Sequence, residues 1–429
     1  MTHQSAPDLL RQSLGRAKPL LWLNEDRIAV SEALAASSVR GEAVREAADA
    51  FQRWRPALRT LFPGAMVDGS IASPLERLRE ASSVLGYPLS GDVLLKRDDL
   101  LPVAGSVKAR GGFHEVLGHA EALAMSRGLS REEALSTPAA RAIFGQYAVA
   151  VGSTGNLGLA IGTVAAALGF RATVHMSHEA KAWKKARLRE AGAEVVEHAG
   201  DYAAAVAAGR AIAAARDDTY FVDDENSLPL FLGYAAAAWE LAAQLEAEGV
   251  RVDAAHPLFV YLPCGVGGAP CGIAFGLKQV FGDAVHCFLA EPVAAPCMLA
   301  RLAIGPGISV YDIGLDNRTA ADGLAVPTAS ELAWEATHRL LSGAFTVPDD
   351  LLFSLVARAH TLLGLRLEPS AVAGFTGPGW IEDSEEGRRY LSRLGTGVRP
   401  THLLWCTGGS LVPDAEHAAN CERGHGAPA

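Results

Sequence analysis

The sequence predicts an α/β protein of two domains, each with a parallel-sheet core, preceded by a helical N-terminal extension. Two observations predict it. From Tyr147 onward, short apolar runs alternate with longer amphipathic or Ala-rich segments, the pattern of strands buried on both faces between crossover helices. The alternation comes as two series, one from Tyr147 to Ala215 and another starting at Tyr220, in a chain of 429 residues that is 49% hydrophobic. That length and apolar content suffice for a large core in more than one domain.

Taken in order, residues 1–90 read as helices with polar connections. Between Ser31 and Phe62, apolar residues recur at helical spacing among Glu42, Arg45, Glu46 and Arg53. Asp92–Arg97 is a first strand. Tyr147–Val151 is an apolar run stopped by Gly152, followed by an Ala-rich helix, Leu157–Leu168. Strand Ala172–Met176, helix Ala180–Ala191, strand Glu194–Val196 and helix Asp201–Ala215 complete the first series. The second runs through Tyr220–Val222, helix Phe231–Glu248, strand Leu258–Leu262, a helix ending at Phe281 and strand Val285–Ala290. Helices near Ser330–Leu341 and Asp350–Leu363 and a last strand, His402–Cys406, follow. Residues 141–220 are expected to form a small inserted domain, with 1–140 and 221–429 assembling the larger one. After Pro413 the chain turns polar and rich in small residues, which predicts a frayed tail.

Net charge is −10, which argues against nucleic acid or an anionic membrane as the main partner. The basic run Lys181–Arg187 reads as a solvated helix face. The six cysteines include no CxxC pair, and they are expected to be reduced thiols of a cytoplasmic protein. No apolar run reaches the length of a membrane span, and the first residues lack a signal-peptide layout. The expected partner is a small molecule, and the expected state monomer or homodimer.

Four segments carry chemistry. Lys108, in Gly105-Ser106-Val107-Lys108-Ala109-Arg110-Gly111-Gly112, is an amine beside a hydroxyl and a second positive charge, where desolvation would favour a Schiff-base nucleophile. Leu258–Leu262 runs into Pro263-Cys264-Gly265-Val266-Gly267-Gly268 and then a helix, a turn whose N–H groups and helix dipole suit a phosphate. A dinucleotide-binding regulator is the rival. Glu291 lies 24 residues after Gly267, but the final glycine of G-x-G-x-x-G falls on Pro270. Gly152-Ser153-Thr154-Gly155-Asn156 can bind a carboxylate, or Ser153 and Thr154 can simply cap a helix. Thr407-Gly408-Gly409, after the last strand, offers a hydroxyl in a glycine turn. His175 and His178 read as a solvated pair at a strand end. Asp223-Asp224-Glu225 could bind a cation or cap the next helix.

Together, Ser106–Gly112, Ser153–Asn156, Gly265–Gly268 and Thr407–Gly409 resemble, in that order, the serine/threonine dehydratase family of pyridoxal-phosphate enzymes. Longer strings, Gly152–Gly158, Ala182–Lys185, Asp223–Ser227, Phe231–Tyr234, Ala321–Val326 and Arg366–Ser370, narrow the likeness to its bacterial D-serine dehydratase branch over roughly Leu94 to Pro413. The resemblance implies a fold type II architecture, similar to the tryptophan synthase β chain, and pyridoxal 5'-phosphate as cofactor. The implied activity is conversion of D-serine to pyruvate and ammonia by α,β-elimination, with L-threonine or L-serine dehydration as the alternative. It implies that Lys108 holds the cofactor and handles the α-proton, that Gly265, Val266, Gly267 and Gly268 bind phosphate, that Asn156 contacts the ring oxygen and Thr407 the ring nitrogen, and that Ser153 and Thr154 hold the substrate carboxylate. A family cation site maps to Glu291, Ala295 and Cys297. The last of these lacks the expected acid, which leaves a monovalent ion, K+ or Na+, held largely by carbonyls.

Overall fold

A computed structural model describes residues 6–153, 155–200, 202–395 and 397–426. The chain divides into two compact units. The first comprises Met1–Gly41, Ser73–Leu100 and Ala238–Ala429, and the second Glu42–Ala72 and Leu101–Ala237.

The first unit is built on a seven-stranded sheet. Across it lie β1 (Leu21–Leu23), β10 (Gly343–Val347), β9 (Val285–Pro292), β8 (Leu258–Pro263), β11 (Thr401–Cys406), β3 (Asp92–Arg97) and β2 (Leu75–Arg77). The five inner strands are parallel. Every residue of β8, β9, β10 and β11 is buried, as expected of a sheet covered on both faces. Short antiparallel strands close both edges, which limits edge-to-edge pairing. Neither edge strand nor β10 was apparent from periodicity. All six cysteines lie in this unit, buried and outside any disulfide.

The C-terminal segment departs from the frayed tail expected above. Asp414–His425 is a helix whose residues His417, Cys421 and Gly424 are buried. A Cβ at Gly424 would stand 2.1 Å from the carbonyl oxygen of Phe353, so this face meets helix Asp349–Leu363 at backbone distance. The stripe is made of small and polar residues, which hydropathy does not flag.

The second unit holds a four-stranded, wholly parallel sheet: β6 (Glu194–His198), β5 (Arg171–Ser177), β4 (Ala148–Gly152) and β7 (Thr219–Val222). The expected insert 141–220 lies inside this unit, which also takes in helices Lys108–Ser126 and Leu228–Ala235. These two helices touch through glycines. A Cβ at Gly111 would sit 2.4 Å from the Tyr234 ring, and one at Gly233 would sit 2.8 Å from the Arg110 carbonyl oxygen. The long helix Gly41–Leu61 of the N-terminal extension reaches the Lys108 helix too, through Trp54 Nε1 donating to Glu121 at 3.2 Å. The expected single helix Phe231–Glu248 is two, Leu228–Ala235 and Ala237–Ala247, and the boundary between the units falls at this break.

Two surface readings are corrected here. Lys184 and Lys185 are buried rather than solvated. Lys185 donates to the carbonyl of His178 and to Glu197, both at 2.7 Å. His175 is buried too, its Nδ1 2.9 Å from Nε2 of His198 on the neighbouring strand, while His178 is exposed. A strand interior claimed one histidine, and the side of the sheet claimed both lysines.

Candidate active site

In the second unit, β4 and β7 are adjacent and parallel, with Val151 opposite Val222. The loops that follow them, at Ser153–Asn156 and Asp223–Asn226, therefore leave the same carboxyl edge, where open α/β sheets bind ligands. Lys108 opens its helix at this place. Its Nζ donates to both carboxylate oxygens of Asp224 at 3.1 Å, with the Tyr234 ring centroid 5.7 Å away. The ion pair is largely sheltered, the side chains being 18% and 10% exposed, so it is screened far less than a surface pair. Ahead of the lysine the backbone is strained. Val103, β-branched, adopts φ +70°, a conformation rarely occupied by such residues.

The hydroxyls of Ser106, Tyr202 and Tyr234 are buried without a hydrogen-bond partner. Burial, reinforced by the Asp224 carboxylate, pushes both phenols well above their ordinary range. Orphaned polar groups of this kind mark a place that awaits a partner.

Ser153 does cap its helix: its Oγ accepts from the N–H of Gly155 at 3.0 Å and of Gly158 at 2.8 Å. Its own hydroxyl proton is left for donation. Asn156 is the first residue of helix Asn156–Leu168, and Thr154 lies outside the described residues. Gly155, at φ +147°, passes under the aliphatic stem of Lys184, whose Cδ would stand 2.2 Å from an added Cβ. The acidic knot is divided. Asp224 takes Lys108, while Asp223 and Glu225 each accept from Arg210 at 3.0 Å. The helix that follows is capped by Ser227. Asp224, Tyr234 and Lys184 were not singled out from sequence as site residues. Their signal was membership of the acidic knot, the basic run and the string Phe231–Tyr234.

In the first unit, β8 and β11 are adjacent and parallel, with Leu404 opposite Tyr261. Three residues further along each strand come Thr407 and Cys264, so the threonine turn and the glycine loop emerge side by side. Gly267, at φ +108°, is the N-cap of helix Gly268–Phe281. A Cβ there would meet Met298 Cε at 2.3 Å, and one at Gly265 would meet the Gly323 carbonyl at 3.1 Å. Among the described residues, the N–H groups of Gly265, Val266 and Gly267 are spent on no hydrogen bond. The strings around Ala321–Ala325 and Glu368–Ser370 back this loop, with Gly323 N–H donating to Ser370 Oγ at 3.2 Å.

Glu291, at the end of β9, is fully buried. Its two oxygens accept the N–H groups of Met298 and Leu299, both at 2.8 Å, capping helix Cys297–Ala303. Burial pushes this carboxyl up to about 8, against the pull of those two hydrogen bonds. The Cys297 thiol points to the Gly265 carbonyl at 3.2 Å and is held well above its usual range by burial. Ala295 is buried beside them. Both oxygens of Glu291 are thus committed to backbone N–H groups.

Taken unit by unit, the sheltered amine with an orphaned hydroxyl two residues before it suits an aldehyde, and the glycine cradle with uncommitted N–H groups at a helix start suits a phosphate, the two functions that pyridoxal phosphate carries. Residues 68–387 match the family described as pyridoxal-phosphate dependent enzyme, and the chain belongs to that family. Its curated relatives include a probable D-serine dehydratase of Cupriavidus pinatubonensis, 53% identical over 97% of this chain and 95% of the relative. Another, from Acidovorax ebreus, is 53% identical over 96% and 95%. Among solved structures, Escherichia coli diaminopropionate ammonia lyase in complex with D-serine has a TM-score of 0.72 at 18% identity, covering 96% of this chain and 99% of that one. A fungal L-serine ammonia-lyase from Rhizomucor miehei has a TM-score of 0.62 at 19% identity, covering 82% and 98%. These structures share the fold. Among the described residues no helix is long and apolar enough to cross a membrane.

Proposed function

We propose that the chain is a pyridoxal-phosphate-dependent D-serine dehydratase, which converts D-serine to pyruvate and ammonia. The observation that carries this reading is the Lys108 amine held by Asp224 at the sheet edge where the Ser153 loop also emerges, in a chain 53% identical to relatives of that name.

When bound, pyridoxal phosphate supplies the electron sink that weakens the Cα–H bond of an attached amino acid. Lys108 Nζ would hold the aldehyde end and would serve as the base for the substrate's α-proton. Gly265, Val266, Gly267 and Gly268 would hold the phosphate through N–H groups. Asn156 would donate to the ring oxygen. Thr407 would meet the ring nitrogen with a neutral hydroxyl, which favours elimination over transamination. The Ser153 hydroxyl and the start of helix Asn156–Leu168 would bind the substrate carboxylate, a role this reading gives to Thr154 as well. Loss of the α-proton and the β-hydroxyl leaves aminoacrylate, and the water so released is balanced by the water that hydrolyses it to pyruvate and ammonia. A monovalent ion beside Glu291 stays part of this reading. Turnover compared in K+, Na+ and tetramethylammonium buffers of equal ionic strength tests it.

The deciding experiment is pyruvate or 2-oxobutyrate release from D-serine, L-serine and L-threonine. We expect kcat/KM for D-serine to exceed the others by about a hundredfold. Preference for either L-amino acid would replace the reading with its alternative. Lys108→Ala is expected to lose both turnover and the visible cofactor absorbance.

A further inference from the structure

Glu115 lies seven residues beyond Lys108, two turns along the same helix face, and is 3% exposed. A buried carboxyl is costly unless its hydrogen-bonding capacity is used. Here it is used to join two points that are near the chemistry. One oxygen accepts from Tyr220 Oη at 2.9 Å, and the other from Ser227 Oγ. Tyr220 belongs to β7 and its ring stacks on His119 of the Lys108 helix at 3.9 Å. Ser227 caps helix Leu228–Ala235 through the N–H of Leu230 at 3.1 Å. Between these anchors runs the tight turn that carries Asp224, closed by the N–H of Ser227 donating to the Asp223 carbonyl at 3.0 Å.

We propose that Glu115 is a positioning residue: it ties both ends of the Asp223–Asn226 turn to the Lys108 helix and thereby aims the Asp224 carboxylate at the lysine. The same helix thus supplies the amine and sets the place of its counter-ion. Burial, with the nearby Asp224 and Asp223 adding to it, pushes Glu115 up to about 7, against the hydrogen bonds from Ser227 and Tyr220. A carboxyl that close to Asp224 feels its charge directly. The proposal rests on Lys108 being the reacting amine, as read above.

The test uses cofactor-free full-length protein. Modification of Lys108 by trinitrobenzenesulfonate at mildly alkaline pH is followed by peptide mass spectrometry, alongside thermal unfolding of each variant. Asp224→Asn releases the amine and should speed its modification. Glu115→Gln, which keeps the volume, should speed it by about fivefold, and Tyr220→Phe and Ser227→Ala should each do so by less. Combining Glu115→Gln with Asp224→Asn should add nothing beyond Asp224→Asn, because the first change acts through the second residue. A Glu115→Gln rate equal to that of the unaltered protein would overturn the proposal, as would effects that multiply in the double variant. Should Glu115→Gln not fold, Tyr220→Phe and Ser227→Ala decide in the same way. Failure of the dehydratase reading itself would show separately, as absence of pyruvate release from D-serine by the unaltered holoenzyme.

Discussion

Lys108 could be read from its own string, because a lone lysine among small residues, next to a hydroxyl and a glycine pair, is chemically unusual. Asp224 could not, since the contact that gives it meaning spans 116 residues and nothing local distinguishes it from Asp223. The glycine pair has a structural cause that the string did not reveal: Gly111 clears room for the Tyr234 ring. Ser153 shows that two readings of one hydroxyl need not compete, since it caps a helix and still keeps a proton to donate. At the phosphate loop, Gly267→Ala places a methyl group against Met298 at φ +108°, a backbone strain of about 1–2 kcal/mol before any clash. We expect the variant to fold but to retain cofactor at least about tenfold less tightly, read as absorbance surviving gel filtration against rising buffer volumes.

Among elements, those within the strand–helix alternation were legible, while the edge strands, β10 and the last helix were not. Strands β3, β8 and β11 and helices Asn156–Leu168 and Gly268–Phe281 follow their apolar patterns closely. The three-residue edge strands are defined by their partners instead. Helix Asp414–His425 was missed because it buries a histidine, a cysteine and a glycine rather than leucines. Truncation after Pro413 should therefore lower Tm by several degrees, on the order expected for about 1–2 kcal/mol, where removal of a frayed end would change nothing. Helix Cys297–Ala303 depends on one side chain. Glu291→Ala leaves the buried N–H groups of Met298 and Leu299 without acceptors, a loss of about 2–4 kcal/mol that urea unfolding will register.

For the molecule as a whole, the alternation of strand and helix made a two-part α/β architecture readable, while strand order was not. No local pattern says that β3 and β11, from opposite ends of the chain, run side by side. Nor does any pattern read the handedness of a substrate. Stability should depend on pH through groups that burial has displaced. Glu115 and Glu291 rise from the ordinary 4.5 to about 7 and about 8. Such raised acids contribute stability that is complete below 4.5 and is lost as pH climbs through the folded values. Below 6.5 the half-buried His114, lowered to about 4 by desolvation, works in the opposite sense, so the clean interval is 6.5 to 8. Urea unfolding should lose about 2 kcal/mol across it from Glu291 alone, and Glu291→Gln should show a flatter profile. The placement of all six thiols in the first unit equips the protein with a built-in stopwatch. Their alkylation follows the opening of that unit, so the mass added over time would record its breathing while the thiol-free second unit stays silent.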